Sequence, residues 1–196
     1  DLEPENIEAL LGVTRALNGL GAIGAALSAI ERAADLKDDD YEIQLLLAHS
    51  LNALERPTDA IEALRKALRL SPESLDAANE LARLCKANDR TLDLLDALVE
   101  ARDRAAENPQ IRTLLAQTYL DSGRNKEAFT EAAIAVEKDA SIRDAQLILG
   151  QLHHDAGRLD EAIKAYRQAA ASTPAHVEDW VALARCYHER GVDDRA

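Results

Sequence analysis

The chain has 196 residues, a formal net charge of −13 and apolar residues at 47% of its positions. Such an acidic chain repels phosphate groups, so the charge argues against nucleic acid or an anionic membrane as a partner. Two cysteines do not make a disulfide scaffold, no apolar run reaches the ~18 residues of a membrane span, and no signal-peptide pattern opens the chain. Because Met is absent even at position 1, we expect a processed chain or a fragment. We expect it to be located in the cytoplasm, or in the periplasm if a signal segment was removed.

Small and apolar residues recur every 34 positions, and the phase does not slip. The clearest row is Ala33, Ala67, Ala101, Ala135 and Ala169. The register predicts whole repeats at 7–40, 41–74, 75–108, 109–142 and 143–176, and part of a sixth at 177–196. We number the positions 1 to 34 within each repeat and predict one array over residues 1–196.

Each repeat reads as two antiparallel helices. Positions 4, 7, 8 and 11 share one helical face, and positions 20, 24 and 27 share a face of the second helix. Ala and Leu, which favour helices, dominate the composition, whereas aromatic residues are rare. Glycine occupies position 15, where the end of a helix favours a residue that tolerates left-handed backbone, in four repeats. These glycines are Gly21, Gly123, Gly157 and Gly191.

The first repeat contains Gly-Leu-Gly-Ala-Ile-Gly at 19–24, which matches the G-x-G-x-x-G pattern of dinucleotide-binding folds. That pattern requires a preceding strand, whereas a helical pattern precedes it here. Because the run falls on position 15, it predicts an interhelical turn.

The third repeat departs most from the others. Leu94 stands at position 20 in place of a small residue, Asp89 replaces Gly at position 15, and Ala106 replaces Pro at position 32. We expect Leu94 either to push its helix pair apart or to turn outward.

The pattern resembles the tetratricopeptide repeat family, most clearly from Leu149 to Pro174, where Ala162, Tyr166 and Ala169 stand at the family's positions. The resemblance extends over residues 7–196. It implies an all-α, right-handed superhelical solenoid in which the first helix of each pair lines a concave groove. It also implies a protein-binding scaffold without catalytic activity. The residues at the groove positions match neither the family's carboxylate clamp for chaperone tails nor the asparagine ladder of O-linked N-acetylglucosamine transferases.

The groove is the predicted binding site. The resemblance implies ligand contacts from positions 2, 5, 6, 9, 12 and 13 of the first helices, and polar side chains occupy positions 9 and 12 here. Amides can bond a peptide backbone, and arginine can grip a carboxylate. The candidate peptide-binding residues are Arg15, Asn18, His49, Asn52, Asn79, Arg83, Lys86, Gln117, Gln151 and Arg185. Asn79, Arg83 and Lys86 cluster at i, i+4, i+7 and favour an acidic or C-terminal peptide group, although plain solvation explains them equally well.

Histidines allow a second hypothesis, a metal site. His154 and His188 share position 12 of adjacent repeats and precede Asp155 and Glu189, a set of ligand types that transition metals accept. No HExxH or CxxC spacing supports the site, and histidines near a helix end often meet the helix dipole. We therefore predict no metal and no cofactor.

The remaining reactive residues fit the core. His153, Cys85 and Cys186 occupy positions 10 and 11, which face inward, and no activating base accompanies either cysteine in the sequence. No catalytic pattern stands out among the acidic residues.

Three functions fit these observations. The leading one is an interaction module whose groove takes an extended peptide or a partner helix. The second is a self-assembling scaffold, because the last repeat stops after its first helix and leaves the apolar side of Trp180 and Tyr187 without a second helix. The third is a helical arm of a larger enzyme.

Overall fold

A computed structural model describes residues 6–171 and 176–191, which form eleven α-helices and no strand. This confirms the all-α prediction. No helix in these ranges is long and apolar enough to cross a bilayer. The helices are α1 (Ile7–Gly19), α2 (Ile23–Leu36), α3 (Tyr41–Ala53), α4 (Pro57–Leu70), α5 (Leu75–Ala87), α6 (Thr91–Arg104), α7 (Pro109–Asp121), α8 (Asn125–Lys138), α9 (Arg143–Asp155), α10 (Leu159–Ala170) and α11 (Val177–Glu189).

The chain divides into two compact units, Asp1–Arg104 and Ala105–Ala196. In the first unit α1 packs on α2 and α3 on α4, and in the second α7 packs on α8, α9 on α10 and α10 on α11. Alanines at positions 20 and 27 are fully buried in both units and let the helix backbones approach closely. They include Ala26, Ala33, Ala60, Ala67, Ala128, Ala135, Ala162 and Ala169. The single array expected from the unbroken phase stays a prediction, as does the role of Pro174 and Ala196, which lie outside the described residues.

Polar side chains at position 34 cap the start of four of the six first helices. Asn6, Asp40, Ser74 and Asn108 each accept a hydrogen bond from a backbone N–H in the first turn of the helix that follows. These caps satisfy donors that no intrahelical carbonyl can reach.

A left-handed residue at position 15 ends each first helix. Its φ is between 71° and 79° at the four glycines, 58° at Glu55 and 55° at Asp89. In five repeats the next N–H donates to the carbonyl at position 11, as Arg158 does to His153 at 2.9 Å. This is the pattern of a glycine-terminated helix, so the glycine-rich run at 19–24 contains the interhelical turn, as predicted.

The third repeat packs differently, as expected. Leu94 is buried with 6% of its surface exposed, so it does not turn outward. Instead α5 and α6 make far less extensive contact than the other helix pairs do, and α6 also contacts α4. The bulk at position 20 therefore pushes α5 and α6 apart.

Hydrogen bonds replace proline at three repeat junctions. Where position 32 is not Pro, the side chain at position 4 of the next helix donates to the carbonyl at position 32. The pairs are Gln44 to Asp38 at 3.0 Å, Arg112 to Ala106 at 3.0 and 3.1 Å, and Gln146 to Ala140 at 3.2 Å. Where position 32 is Pro72 or Pro174, position 4 is apolar, namely Ala78 or Trp180. At these three junctions a hydrogen bond thus fixes the segment between the helices, which proline stiffens at the other junctions.

Gly150 and Tyr166 form a matched pair of a small and a large residue in the fifth repeat. A Cβ atom at Gly150 would lie 2.6 Å from Tyr166 Cε1, well inside van der Waals contact. In the second repeat the same two positions are Ala48 and Leu64. Tyr166 therefore fits only because position 8 has no side chain.

We expect Glu55→Gly to raise the free energy of unfolding by about 1 kcal/mol, because a residue with a Cβ is strained in left-handed backbone. Gly157→Ala should lower it by a similar amount, since only the φ of 71° opposes alanine and no neighbouring atom does. Gly12→Ala, in open space within α1, is the control and should stabilise its unit. Denaturant titration measures all three, and destabilisation by Glu55→Gly would contradict the strain.

We expect Gly150→Ala to destabilise the second unit by about 1–3 kcal/mol through overpacking against Tyr166. The double variant with Tyr166→Leu should recover most of that loss, because the smaller side chain restores the pairing of the second repeat. A double-mutant cycle in urea checks this. Additive losses would show that the two residues do not restrict one another.

Candidate functional site

The first unit contains seven of the ten candidate residues, all exposed or half-buried on α1, α3 and α5. They are Arg15, Asn18, His49, Asn52, Asn79, Arg83 and Lys86. The structure thus places the predicted polar rows on three first helices of one unit, where α1 and α3 are in direct contact.

Several of these side chains bind one another. Arg15 of α1 forms an ion pair with Glu42 of α3. Asn18 Nδ2 donates to Ser50 Oγ at 3.4 Å, again between α1 and α3. Both contacts link neighbouring first helices, so these groups already serve the packing of the unit.

Arg83, the centre of the predicted acid-binding cluster, is also engaged. Its Nε donates to Glu80 Oε2 at 3.0 Å and its Nη2 to Glu80 Oε1 at 2.6 Å. Hydrogen bonding from Arg83 lowers the pKa of Glu80, which keeps that carboxylate ionised. An acidic ligand would have to compete with an internal carboxylate that already binds Nε and Nη2 of the guanidinium group.

The second unit contains the other three candidates, Gln117, Gln151 and Arg185, all exposed on α7, α9 and α11. Gln117 Nε2 donates to Asp121 Oδ1 at 2.8 Å. Within residues 6–171 and 176–191, the side chains of Gln151 and Arg185 form no hydrogen bond or ion pair. These two groups are therefore open to a ligand, in contrast to Arg15 and Arg83.

Two polar bridges fix α11 beside α9. Near the start of both helices, Arg143 donates from Nε and Nη2 to the two carboxylate oxygens of Asp179, at 2.7 and 2.6 Å. Asp179 is only 1% exposed, so this bidentate pair compensates a buried charge. At the opposite end His154 Nε2 lies 2.8 Å from Glu189 Oε2.

Solvent-facing residues lie on α9 and α11 beside these bridges. Apolar residues on α11 are strongly exposed: Val177 by 73%, Trp180 by 53% and Val181 by 61%. Arg185 follows Val181 by one turn on the same face. We call Gln151, Val177, Trp180, Val181 and Arg185 the α9–α11 surface.

Family models described as tetratricopeptide repeat match residues 41–84, 113–177 and 149–196. The chain belongs to the tetratricopeptide repeat (TPR) family. This confirms the resemblance, and with it the helical-repeat solenoid and a protein-interaction scaffold. TPR proteins are generally non-catalytic. No curated protein matches the chain by sequence.

Solved TPR structures share the fold at low identity. YrrB, a TPR protein with an unusual peptide-binding site, is 18% identical, with a TM-score of 0.66 over 92% of this chain and 93% of YrrB. PilF of Pseudomonas aeruginosa is 16% identical, with a TM-score of 0.67 over 96% of this chain and 87% of its own. A TPR protein from Parabacteroides merdae is 15% identical, with a TM-score of 0.68 over 96% of this chain and 75% of its own.

One of the two predicted histidine neighbours of this TPR chain, His154, has carboxylate partners. His154 lies between Glu189 and Asp155, whose Oδ1 is 3.5 Å from Nδ1. In the described part of the chain, no group of three or more His, Cys, Asp or Glu side chains is placed to hold a metal ion.

Both cysteines are buried and free, as expected of core residues. Burial raises the pKa of Cys85 to about 11 and also raises the pKa of Cys186. Both therefore remain protonated thiols at neutral pH, which are poor nucleophiles.

No motif in the sequence predicts the two buried ion pairs that the described residues of the second unit contain. Besides Arg143–Asp179, Arg112 Nη1 contacts Glu131 Oε2 at 2.6 Å, and the Glu131 side chain is 7% exposed. The partners lie 36 and 19 residues apart, so no local spacing connects them. The available signal was an acidic residue at position 3 (Asp179) or position 23 (Glu131), because most other repeats bury apolar side chains at these positions.

His153 makes the stability of the second unit depend on pH. Burial, aided by the positive charge of Arg158, lowers its pKa below the ordinary 6.5. As pH falls through 6.5, the unfolded chain therefore binds the proton more readily than the folded chain, and stability decreases.

We expect the thermal midpoint of the wild type to fall between about pH 7 and pH 5 by more than that of His153→Tyr. Tyrosine stands at the same repeat position as Tyr119 and Tyr187, so the variant keeps an accepted core residue. Calorimetry across this range measures the difference. If the thermal midpoints of both proteins fell equally with pH, the pH dependence would not come from His153.

Proposed function

We propose that this TPR scaffold binds an extended peptide segment on the α9–α11 surface, with an acidic side chain or a C-terminal carboxylate directed at Arg185. The supporting observation is the presence of unpaired polar groups and exposed apolar groups on two helices that the two bridges hold together. Peptide-binding surfaces need both, since apolar contacts supply affinity and polar groups fix the register.

Each component has a defined role in this proposal. Gln151 offers an amide donor and acceptor to a peptide backbone. Arg185 offers a free guanidinium fork to a carboxylate. Val177 and Val181 supply apolar contact area next to Trp180, the kind of side chain that dominates binding energy at interfaces. The peptide-binding site of YrrB shows that a structure with this fold can take a peptide.

The first unit ranks lower as a peptide site. Its arginines are neutralised by Glu42 and Glu80, so an acidic peptide gains there only what it loses by breaking an internal pair. The cluster of Asn79, Arg83 and Lys86 stays a prediction.

A selection from random peptides with free C-termini tests the proposal. Binding is followed by the fluorescence of Trp180, the only Trp in the chain. We expect acidic or C-terminally anchored peptides to be enriched and Arg185→Glu to weaken their binding about tenfold or more, as for a lost charge-assisted hydrogen bond. Arg83→Glu is the matched control, since both arginines stand at position 9, and it should leave affinity unchanged. Loss with Arg83→Glu and not with Arg185→Glu would move the site to the first unit.

A second candidate function is self-assembly through α11. It is favoured by the exposure of Trp180, Val177 and Val181 on one helix, because contiguous exposed apolar groups commonly mark interfaces. Sedimentation separates the two. A dimer at micromolar concentration that Trp180→Glu dissolves supports assembly, whereas a monomer that binds selected peptides supports the peptide site.

A further inference from the structure

A cleft of about 410 Å³ opens in the second unit. It lies between the start of α8, the end of α9 and the turn into α10. Phe129 and Leu152 form its apolar floor, and Lys126, Asp155 and Arg158 are polar lining residues. We call it the Phe129 cleft. Its volume is near the lower end of the roughly 300–1,000 Å³ of ligand pockets, which suits one or two side chains.

Phe129 is an exception among the residues of its repeat position. Position 21 is buried in the other four complete repeats, at Leu27, Ile61, Leu95 and Ile163. Phe129 is only half-buried, and its ring meets His153 edge-on with centroids 5.3 Å apart. His153 Nδ1 is buried without a hydrogen-bond partner. An aromatic pair thus replaces the aliphatic packing of the other repeats and leaves the ring accessible.

Arg158 is an exception of a second kind. Position 16 is arginine in four repeats, and each has an acid three residues later. Arg56, Arg90 and Arg124 form ion pairs with those acids. Arg158 instead lies over the Phe129 ring, with Cζ 5.7 Å from the centroid.

The cleft therefore combines an aromatic floor with unpaired cations. Within the described residues Arg158 forms no ion pair with Glu161, although Glu161 has the same spacing, and Lys126 also lacks an ion-pair partner. Two unpaired cations beside one apolar floor are notable on a chain with a net charge of −13. Asp155, the one acid in the lining, lies 3.5 Å from His154 Nδ1.

We propose that the Phe129 cleft is a second docking site, which takes an aromatic or large aliphatic side chain of a partner protein together with an adjacent carboxylate. The apolar side chain packs on Phe129 and Leu152. The carboxylate binds Arg158 and Lys126, neither of which forms an ion pair within the described residues. Aromatic contact and a charge-assisted hydrogen bond are each favourable in a partly desolvated cleft.

The test uses the single Phe of the chain as a reporter. The full chain is labelled with 4-fluorophenylalanine, so that its one fluorine resonance reports on this cleft alone. The probe is acetyl-Glu-Phe-Glu-amide, and we expect it to shift the resonance saturably. Acetyl-Glu-Ala-Glu-amide lacks the apolar anchor, acetyl-Lys-Phe-Lys-amide reverses the charge, and both should bind at least about tenfold more weakly.

Arg158→Gln should raise the dissociation constant of acetyl-Glu-Phe-Glu-amide about tenfold. Arg56→Gln is the matched control at the same repeat position, where the arginine is already paired, and it should leave that constant unchanged. The proposal is overturned if the resonance stays fixed at millimolar peptide, if the lysine peptide binds equally well, or if Arg158→Gln binds as tightly as the wild type. A shift confined to Trp180 fluorescence would also overturn it and would leave the α9–α11 surface as the peptide site.

Discussion

Left-handed backbone at position 15 is the constraint on which each helical hairpin depends. It reverses the chain within a few residues and brings the small residues of the second helix against the first. Glycine adopts this conformation without strain, whereas Glu55 and Asp89 hold the same φ at a conformational cost. Both residues nevertheless keep the turn of the glycine repeats, since the N–H at position 16 donates to the carbonyl at position 11 in their repeats as well.

Substitutions within the repeat pattern are also compensated at the junctions between repeats. Proline stiffens some connections, and a side chain from the next helix ties the others through the carbonyl at position 32. Gln44, Arg112 and Gln146 look like polar residues misplaced on an apolar face, yet each meets a backbone acceptor. A departure from the repeat pattern at position 32 is thus matched by a second departure six residues later. The third repeat has no such compensation for Leu94, and its helices separate instead.

Ion pairs decide which polar side chains remain available for binding. On the first unit, Arg15 and Arg83 are neutralised by glutamates of their own unit. On the second, the Arg143–Asp179 and His154–Glu189 bridges hold α9 beside α11 and leave Gln151 and Arg185 open. In the turn that follows α9, Arg158 lies over the ring of Phe129 and forms no ion pair with Glu161. Repeat symmetry makes such exceptions visible, because every position has several equivalents for comparison.

The sequence alone determined the helical repeat, the length of its period, the turn at each position 15 and the burial of both cysteines. These features depend on contacts between residues close in the chain or at equivalent positions, and their pattern is periodic. It also located Gln151 and Arg185 among ten candidates, but it could not rank them, since pairing with Glu42 or Glu80 depends on side-chain geometry. The buried Arg143–Asp179 pair, the accessible ring of Phe129 and the turned Arg158 were decided only by tertiary structure. Each arises where side chains from different helices meet, and no spacing along the chain encodes that meeting.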